Sequence, residues 1–232
     1  MTVEHLSIVI PIHNEATFLG EALDRLWEEL TDLNTPYDVT LIENGGRDDT
    51  RLVAERLAAG NPRLRVLHNR RADYGAALRR GFLETDGDWV VAFDIDYFSR
   101  TFIDQVVENS GRADIVLASK RDPEAEDHRT LLRRLGTRFF NLILRSAFRS
   151  GVTDTHGMKA IRRPVIVDIT PSVISTQDLF DTELILRAER NGARIVEVPA
   201  VVVEIRPARS SFVKRIPRTL VGLVRLKRNL MR

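Results

Sequence analysis

Residues 89–98, WVVAFDIDYF, run apolar for five residues and then place Asp94 and Asp96 one residue apart. The apolar part predicts a buried strand that ends at the two acids. Two such carboxylates can bind one hard divalent cation such as Mg²⁺ or Mn²⁺, or they can be an ordinary polar strand end. The neighbouring segments decide between these interpretations.

The first half of the chain repeats one pattern, in which a short apolar strand is followed by a polar loop and an amphipathic helix. Strands are predicted over 6–12, from 37 to near Ile42, and over 64–69, 89–96 and 113–121, with helices over 16–33, 48–60 and 75–85. Strands that alternate with helices predict right-handed crossovers and a mostly parallel, doubly wound sheet. Ligands of such sheets bind beyond the carboxyl ends of the strands, where Asp94 and Asp96 fall.

The second half is less regular. Residues 128–149 alternate bases with apolar residues at helical spacing and predict one or two amphipathic helices. A polar loop over 151–159, a helix over 180–195 and a late strand or hairpin over 193–205 follow.

Composition limits the class of protein. The 232 residues are 43% hydrophobic and 29% charged, which fits one globular domain, and the absence of cysteine excludes disulfides and thiolate metal sites. We expect neither a signal peptide nor a membrane span, because no apolar run approaches eighteen residues. All 33 acids lie at or before Glu204, whereas nine of the 35 bases follow it. This basic tail suits anionic lipid or a phosphorylated substrate better than nucleic acid, since Phe212 is its one aromatic residue.

Polar motifs follow the other predicted strands as well. They are Pro11-Ile-His-Asn-Glu15, Glu43-Asn-Gly-Gly-Arg-Asp-Asp-Thr50, and Asp73-Tyr-Gly-Ala-Ala77 with Gly81. In order and spacing, these motifs and Asp94-x-Asp96 resemble glycosyltransferase family 2.

The later segments narrow this resemblance to the polyprenyl-phosphate sugar synthases, the dolichyl-phosphate mannose and glucose synthase group. The segments are Ser119–Arg121, Asp154–Lys159, Phe180–Leu184, Glu197–Pro199 and Arg206–Ser211. The resemblance implies a GT-A fold: an α/β, Rossmann-like, mostly parallel twisted sheet flanked by helices, with C-terminal amphipathic helices. Residues 1–232 would form one domain with a nucleotide-sugar-binding half (1–121), an acceptor-binding half (122–211) and a basic amphipathic tail (212–232).

The resemblance also implies residue roles. Catalytic roles would fall to Asp96 and Asp181, and Asp94 and Asp96 would hold Mg²⁺ or Mn²⁺ on the donor diphosphate. The donor-binding residues would be Pro11, Asn14, Glu15, Glu43, Asn44, Asp73, Gly75, Asp94, Ile95 and Asp96. The acceptor-binding residues would be Arg121, Arg133, Asp154, Lys159, Arg209 and Ser210.

Three residues depart from the family pattern. Asn44 replaces the second acid of the usual pair, Asp73 stands where the family has its first loop glycine, and Phe98 stands where mannose synthases often have a Gln. These departures leave the identity of the donor open.

The expected activity is the inverting transfer of a hexose from a UDP- or GDP-linked sugar to polyprenyl phosphate. A phosphate monoester is largely ionised at neutral pH and can attack unaided, whereas a hydroxyl acceptor needs a general base. Asp181 aligns with the base of hydroxyl-directed family members, so a soluble hydroxyl acceptor stays open. An acid at this place is equally compatible with stabilisation by the helix dipole. A third alternative, given the three departures, is a non-catalytic module that binds nucleotide or lipid phosphate.

The tail places Leu220, Leu223, Val224 and Leu226 around a helix with bases beside them. Such a helix can lie in a membrane interface, or it can pack on the domain with a solvated basic face. With a lipid-linked acceptor, we expect a cytoplasmic protein that is peripheral on the inner face of the plasma membrane.

Overall fold

The computed structural model describes residues 3–119, 126–127, 140, 142–202 and 212–230. The strands are β1 (Leu6–Ile12), β2 (Tyr37–Asn44), β3 (Leu64–Asn69), β4 (Trp89–Ala92), β5 (Ile115–Ser119), β6 (Glu126–Asp127), β7 (Lys159–Arg162), β8 (Ile195–Pro199) and β9 (Val201–Val202). The helices are α1 (Leu19–Glu29), α2 (Thr50–Ala59), α3 (Tyr74–Glu84), α4 (Arg100–Asn109), α5 (142–148), α6 (Arg163–Ile169), α7 (Phe180–Arg190) and α8 (Phe212–Leu230).

Seven of these strands form one sheet in the order β3-β2-β1-β4-β7-β5-β8. All neighbouring strands are parallel except β7, which runs antiparallel to both β4 and β5. The predicted mostly parallel α/β sheet is therefore confirmed. Strand β7 was not predicted, because its four residues directly follow a polar loop.

Within its described residues, 193–202, the late segment does not form the hairpin that its sequence allowed. Strand β8 pairs in parallel with β5, while β9 pairs in parallel with β6 in a separate two-stranded sheet. The hairpin alternative is therefore wrong, and the alternative of a late strand is confirmed by β8.

Helices cover both faces of the large sheet, so its central strands are buried on both sides and read as continuous apolar runs. Apolar residues of β1 alternate between the two cores, with Ile8 and Ile10 on one face and Val9 on the other. The first core takes buried side chains from α1, α2 and α4, and the second takes them from α3, α6 and α7.

Helix α3 approaches the sheet most closely at Gly81. A Cβ atom there would lie 2.2 Å from Cγ1 of Val9 and 2.9 Å from Cδ1 of Ile42, so only glycine fits this contact. The close approach fixes the height of α3 above the sheet and brings the first turn of α3 to the carboxyl ends of β1, β2 and β4.

The basic tail helix packs on the domain. Leu223 and Leu226 of α8 are buried in a third cluster with Leu144, Phe148 and Leu186. Its outer face leaves Leu220, Val221 and Val224 exposed. Among the described helices, none has the length and apolar character needed to cross a bilayer.

Candidate active site

The carboxyl ends of β1, β2 and β3 bring the first group of predicted site residues together. Ile12 pairs with Glu43, and Glu43 in turn pairs with His68. Strand β2 continues to Asn44, two residues beyond the predicted end, so Glu43 and Asn44 both lie in the sheet and are buried. The polar residues therefore sit at fixed positions on a strand.

Asn14 joins the loop after β1 to the loop after β2. Its backbone is left-handed, with φ of 56°, and its Oδ1 accepts a hydrogen bond of 2.7 Å from the Arg47 N–H. The N–H of Glu15, a residue that is 7% exposed, donates to Thr50 Oγ1 at 2.6 Å. The two loops that would border a nucleotide are thus held to each other before any ligand binds.

Asp48 belongs to the same pair of loops. Burial alone would raise the pKa of its carboxyl, but hydrogen bonds from the Thr50 hydroxyl, the Thr50 N–H and the Ala16 N–H outweigh burial and lower that pKa. Asp48 is therefore an ionised anchor for this loop at neutral pH.

Glu43 is held by its own turn and faces a histidine. Its Oε1 accepts a 2.5 Å hydrogen bond from the Gly46 N–H, and its Oε2 lies 3.6 Å from His68 Nδ1. The other ring nitrogen of His68, Nε2, lies 3.0 Å from Glu55 Oε1. Sequence reasoning missed His68, because its position opposite Glu43 depends on the register between β2 and β3, which the sequence does not display.

Asn44, which departs from the family pattern, contacts Asp73, which also departs from it. The side-chain oxygen of Asn44 accepts a hydrogen bond from the Asp73 N–H at 2.9 Å. Asp73 then caps α3, since its Oδ1 accepts the Ala76 N–H at 3.0 Å. An amide suits this position because its oxygen accepts a backbone N–H without adding a second negative charge beside the Asp73 carboxylate.

Asp94 and Asp96 lie in a tight turn beyond β4, which ends at Ala92 and is shorter than predicted. The Asp94 N–H donates to the Tyr97 carbonyl at 3.3 Å, and the Tyr97 N–H donates back to the Asp94 carbonyl at 3.0 Å. Ile95 between the two acids is buried, while both acids are partly exposed. A closed four-residue turn therefore carries both carboxylates just beyond the carboxyl end of β4.

Tyr74 connects this turn to α3, since its hydroxyl donates to Asp94 Oδ1 at 3.3 Å. Sequence reasoning missed Tyr74 as well, although it lies inside the Asp73–Ala77 motif. Two carboxylates fit a hard cation that keeps water and substrate phosphate as its other ligands. Within the described ranges, no group of three or more His, Cys, Asp or Glu side chains could hold a metal alone. The donor set therefore fits a cation shared with a bound diphosphate.

On the acceptor side, the structure pairs two predicted residues. Lys159 Nζ lies 3.2 Å from Asp181 Oδ1, and the residues are 1% and 2% exposed. The sequence had placed Lys159 in the polar loop, but the structure does not. Lys159 begins β7, opposite Ala92 and Leu117. Asp181 lies in the first turn of α7.

Two acids shape the surrounding loops, and the sequence analysis gave neither a site role although both lie in segments that it quoted. Glu197 Oε1 accepts hydrogen bonds from the N–H groups of Thr153 and Asp154 at 2.8 and 3.1 Å. Buried Glu183 accepts from the N–H groups of Ile174 and Ser175 at 3.2 and 2.7 Å. Asp154, a predicted acceptor residue, is buried and accepts the His156 N–H at 3.0 Å. The predicted acceptor residues Arg121, Arg133, Arg209 and Ser210 lie outside the described residues.

The family model described as glycosyl transferase family 2 matches residues 7–170. The chain belongs to this family. The predictions of a family 2 glycosyltransferase and of its GT-A fold are thereby confirmed.

Curated relatives match most of this chain, but the matched region is less than half of each relative's own length. Glycosyltransferase AglD of Haloferax volcanii is 32% identical over 202 residues, which cover 84% of this chain and 32% of AglD. An undecaprenyl-phosphate 4-deoxy-4-formamido-L-arabinose transferase of Pseudomonas fluorescens is 31% identical over 166 residues, which cover 70% of this chain and 48% of that protein. The chain therefore spans less than half the length of either relative.

Solved structures share the fold. Glucosyl-3-phosphoglycerate synthase from Mycobacterium tuberculosis, in complex with Mn²⁺, UDP-glucose and phosphoglyceric acid, aligns with a TM-score of 0.72 and 20% identity over 97% of this chain and 80% of that one. The same enzyme with Mn²⁺, UDP and glucosyl-3-phosphoglycerate aligns with a TM-score of 0.70 and 19% identity, again over 97% and 80%.

Proposed function

We propose that this protein is an inverting, metal-dependent glycosyltransferase that moves a hexose from a UDP- or GDP-linked sugar to polyprenyl phosphate. The observation that supports a phosphate acceptor is the buried Lys159–Asp181 ion pair. The polar residues at the strand ends support a nucleotide-sugar donor.

For the donor, Glu43 and the loop held by Asn14 would receive the base and ribose, and Pro11 and Glu15 would border them. Asp94 and Asp96 would hold Mg²⁺ or Mn²⁺, which when bound neutralises charge that grows on the departing nucleotide diphosphate. Tyr74 would orient Asp94 through its hydrogen bond of 3.3 Å. Asn44 would hold the start of α3 beside the nucleotide loop through its hydrogen bond with the Asp73 N–H.

For the acceptor, a hydroxyl would need a base within hydrogen-bond reach. Asp181 is the candidate base, yet its residue is only 2% exposed and its Oδ1 faces the Lys159 ammonium. This arrangement supports a structural role for Asp181. An acceptor that is ionised before it binds, such as a phosphate monoester, needs no base at all. The name of the Pseudomonas relative, an undecaprenyl-phosphate transferase, supports the same acceptor class.

A lipid-linked acceptor calls for contact with a membrane surface, and α8 supports this contact. Its buried face is attached to the domain through Leu223 and Leu226, while Leu220, Val221 and Val224 remain exposed next to Arg225, Lys227 and Arg228. A helix with exposed apolar and basic side chains suits an anionic lipid surface. We propose that the protein is peripheral on the cytoplasmic face of the membrane.

The test is a direct comparison of acceptors. Purified protein receives radiolabelled UDP-glucose or GDP-mannose with Mn²⁺, together with polyprenyl phosphate, the corresponding polyprenol, or phosphoglycerate. We expect labelled lipid from polyprenyl phosphate alone, and no product from Asp96→Ala. Product from polyprenol or phosphoglycerate would contradict the acceptor assignment and return Asp181 to the role of base. Nucleotide binding without any product, across a wide panel of donors, would favour a binding module.

A further inference from the structure

The first turn of α3 touches three parts of the site at once. The Asp73 N–H binds Asn44 at the end of β2, and the Tyr74 hydroxyl binds Asp94 after β4. The third contact reaches segment 173–181, the stretch that leads into α7 and ends at Asp181. This third contact is not part of the donor site.

The Asp73 carboxylate makes the third contact. Its Oδ1 accepts two N–H groups at 3.0 Å, one from Ala76 in its own helix and one from Gln177, which is 104 residues away in sequence. Gln177 has φ of 50°, a left-handed conformation that side-chain-bearing residues adopt at a cost. The hydrogen bond from its N–H to Asp73 helps to hold Gln177 in that conformation.

Close packing surrounds this hydrogen bond. A Cβ atom at Gly75 would lie 2.7 Å from Phe180 Cβ and 2.8 Å from the Gln177 nitrogen, so the backbones of α3 and segment 173–181 are in direct contact. Arg79, one turn further along α3, places its guanidinium 5.4 Å from the Phe180 ring centre and donates to the Thr170 carbonyl at 2.7 Å. The two segments have little room to move independently.

Phe180 is fully buried and directly precedes Asp181, whose partner is Lys159. We infer that Asp73 is a positioning residue for the acceptor side: its carboxylate fixes Gln177, and through Gln177 and Phe180 it sets the place of Asp181 and Lys159. The expected effect on acceptor kinetics rests on the proposed function. The expected effect on the position of segment 173–181 rests on the geometry alone.

The test compares Asp73→Ala and Asp73→Asn with a matched control. Asp88 is also a carboxylate that accepts distant backbone N–H groups, from His5 at 2.7 Å and Glu4 at 3.3 Å, but it lies at the amino end of β4. Asp88→Ala therefore removes a similar long-range contact away from the site. For each variant, hydrogen exchange of peptides covering 173–181, the nucleotide Kd with Mn²⁺, and kcat/KM for polyprenyl phosphate are measured.

We expect Asp73→Ala to speed exchange over 173–181 and to lower kcat/KM for the acceptor roughly tenfold, with a smaller change in nucleotide Kd. Asp73→Asn keeps an oxygen acceptor and should recover most of the loss. Asp88→Ala should leave all three readouts unchanged: exchange over 173–181, the nucleotide Kd and kcat/KM for the acceptor. Exchange over 173–181 that matches the wild type in Asp73→Ala would overturn the inference, as would equal losses of nucleotide affinity and acceptor kcat/KM. If the wild type transfers no sugar, the proposed function fails, while the exchange measurement still decides whether Asp73 holds the segment.

Discussion

Lys159 Nζ and Asp181 Oδ1 lie 3.2 Å apart in the interior, and neither residue is more than 2% exposed. Two opposite charges removed from water depend on each other, because loss of one leaves the other buried without compensation. We expect Lys159→Met to lower the free energy of unfolding by about 3–5 kcal/mol in urea denaturation. The double variant Lys159→Met with Asp181→Leu should regain most of this loss, and a single variant as stable as the wild type would show that the pair is not charged.

Nucleotide binding should depend on the Asp94–Tyr97 turn. A nucleotide at about 100 times its Kd adds roughly 2.7 kcal/mol of stability, which for a chain of this size raises the unfolding midpoint by about 5–10 °C. We expect this shift with UDP or GDP in the presence of Mn²⁺. Removal of the metal with a chelator or the Asp96→Ala substitution should abolish it. Asp24→Ala, which changes an exposed acid on α1, is the control that keeps the full shift, and a shift that survives in Asp96→Ala would contradict the assignment of the metal site.

Asp114 should make stability depend on pH. Hydrogen bonds from Arg194, supported by Arg162, hold the pKa of its carboxyl well below the usual range. The unfolded chain therefore binds this proton more readily, so the stabilisation is complete above about pH 5 and is lost as pH falls through the lowered pKa. We expect Asp114→Asn to be less stable than the wild type at neutral pH, by an amount that the exposure of Arg194 to solvent keeps small. Between pH 7 and pH 3, the free energy of unfolding should fall less steeply for Asp114→Asn than for the wild type. Parallel curves for the two proteins would refute the prediction.

The packing of α3 on the sheet can be tested at one methyl group. Gly81→Ala would place its Cβ against Val9 and Ile42, so we expect a loss of about 1–3 kcal/mol in the free energy of unfolding. Gly20→Ala in α1 is the matched control, because a Cβ there meets nothing within 4 Å. That substitution should raise stability by about 0.5–1 kcal/mol, since alanine has the better helix propensity. Equal effects at the two glycines would mean that α3 packs less closely than described.

Membrane contact should depend on the exposed face of α8. We expect sedimentation with vesicles of anionic lipid, and a drop of roughly tenfold or more in binding for Val221→Glu with Val224→Glu, because both side chains are more than half exposed and would contact the acyl region. Leu52→Glu on α2 changes a side chain of similar exposure, 59%, elsewhere on the surface. Binding that Leu52→Glu weakens to the same extent would show that the attachment is not specific to α8.

Local patterns predicted the alternating strands and helices from β1 to α3, but they missed helix α4 and extended β4 beyond Ala92. Strand β3 has its predicted bounds, Leu64–Asn69. Strand β7 escaped prediction since Lys159-Ala-Ile-Arg162 is short, carries a base at each end and follows a polar loop. No local pattern marks it as a central strand.

Residues whose partners lie far away in sequence also escaped prediction. The motif placed Asp73 in the donor loop, but its contact with Gln177 depends on the packing of α3 against segment 173–181. Glu183 and Glu197 act through hydrogen bonds to loop backbone, and backbone groups carry no sequence signature. Such residues become recognisable only when the fold brings their partners to them.

The position of β7 also has a consequence for the order in which the chain can fold. Strands β4 and β5 are synthesised well before residues 159–162, yet they are joined in the sheet only through β7. Until that segment leaves the ribosome, the edge of β4 offers unpaired N–H and C=O groups to any other extended chain. During synthesis, β4 therefore has no partner on this side between residues 92 and 162, and an open strand edge of this kind favours aggregation.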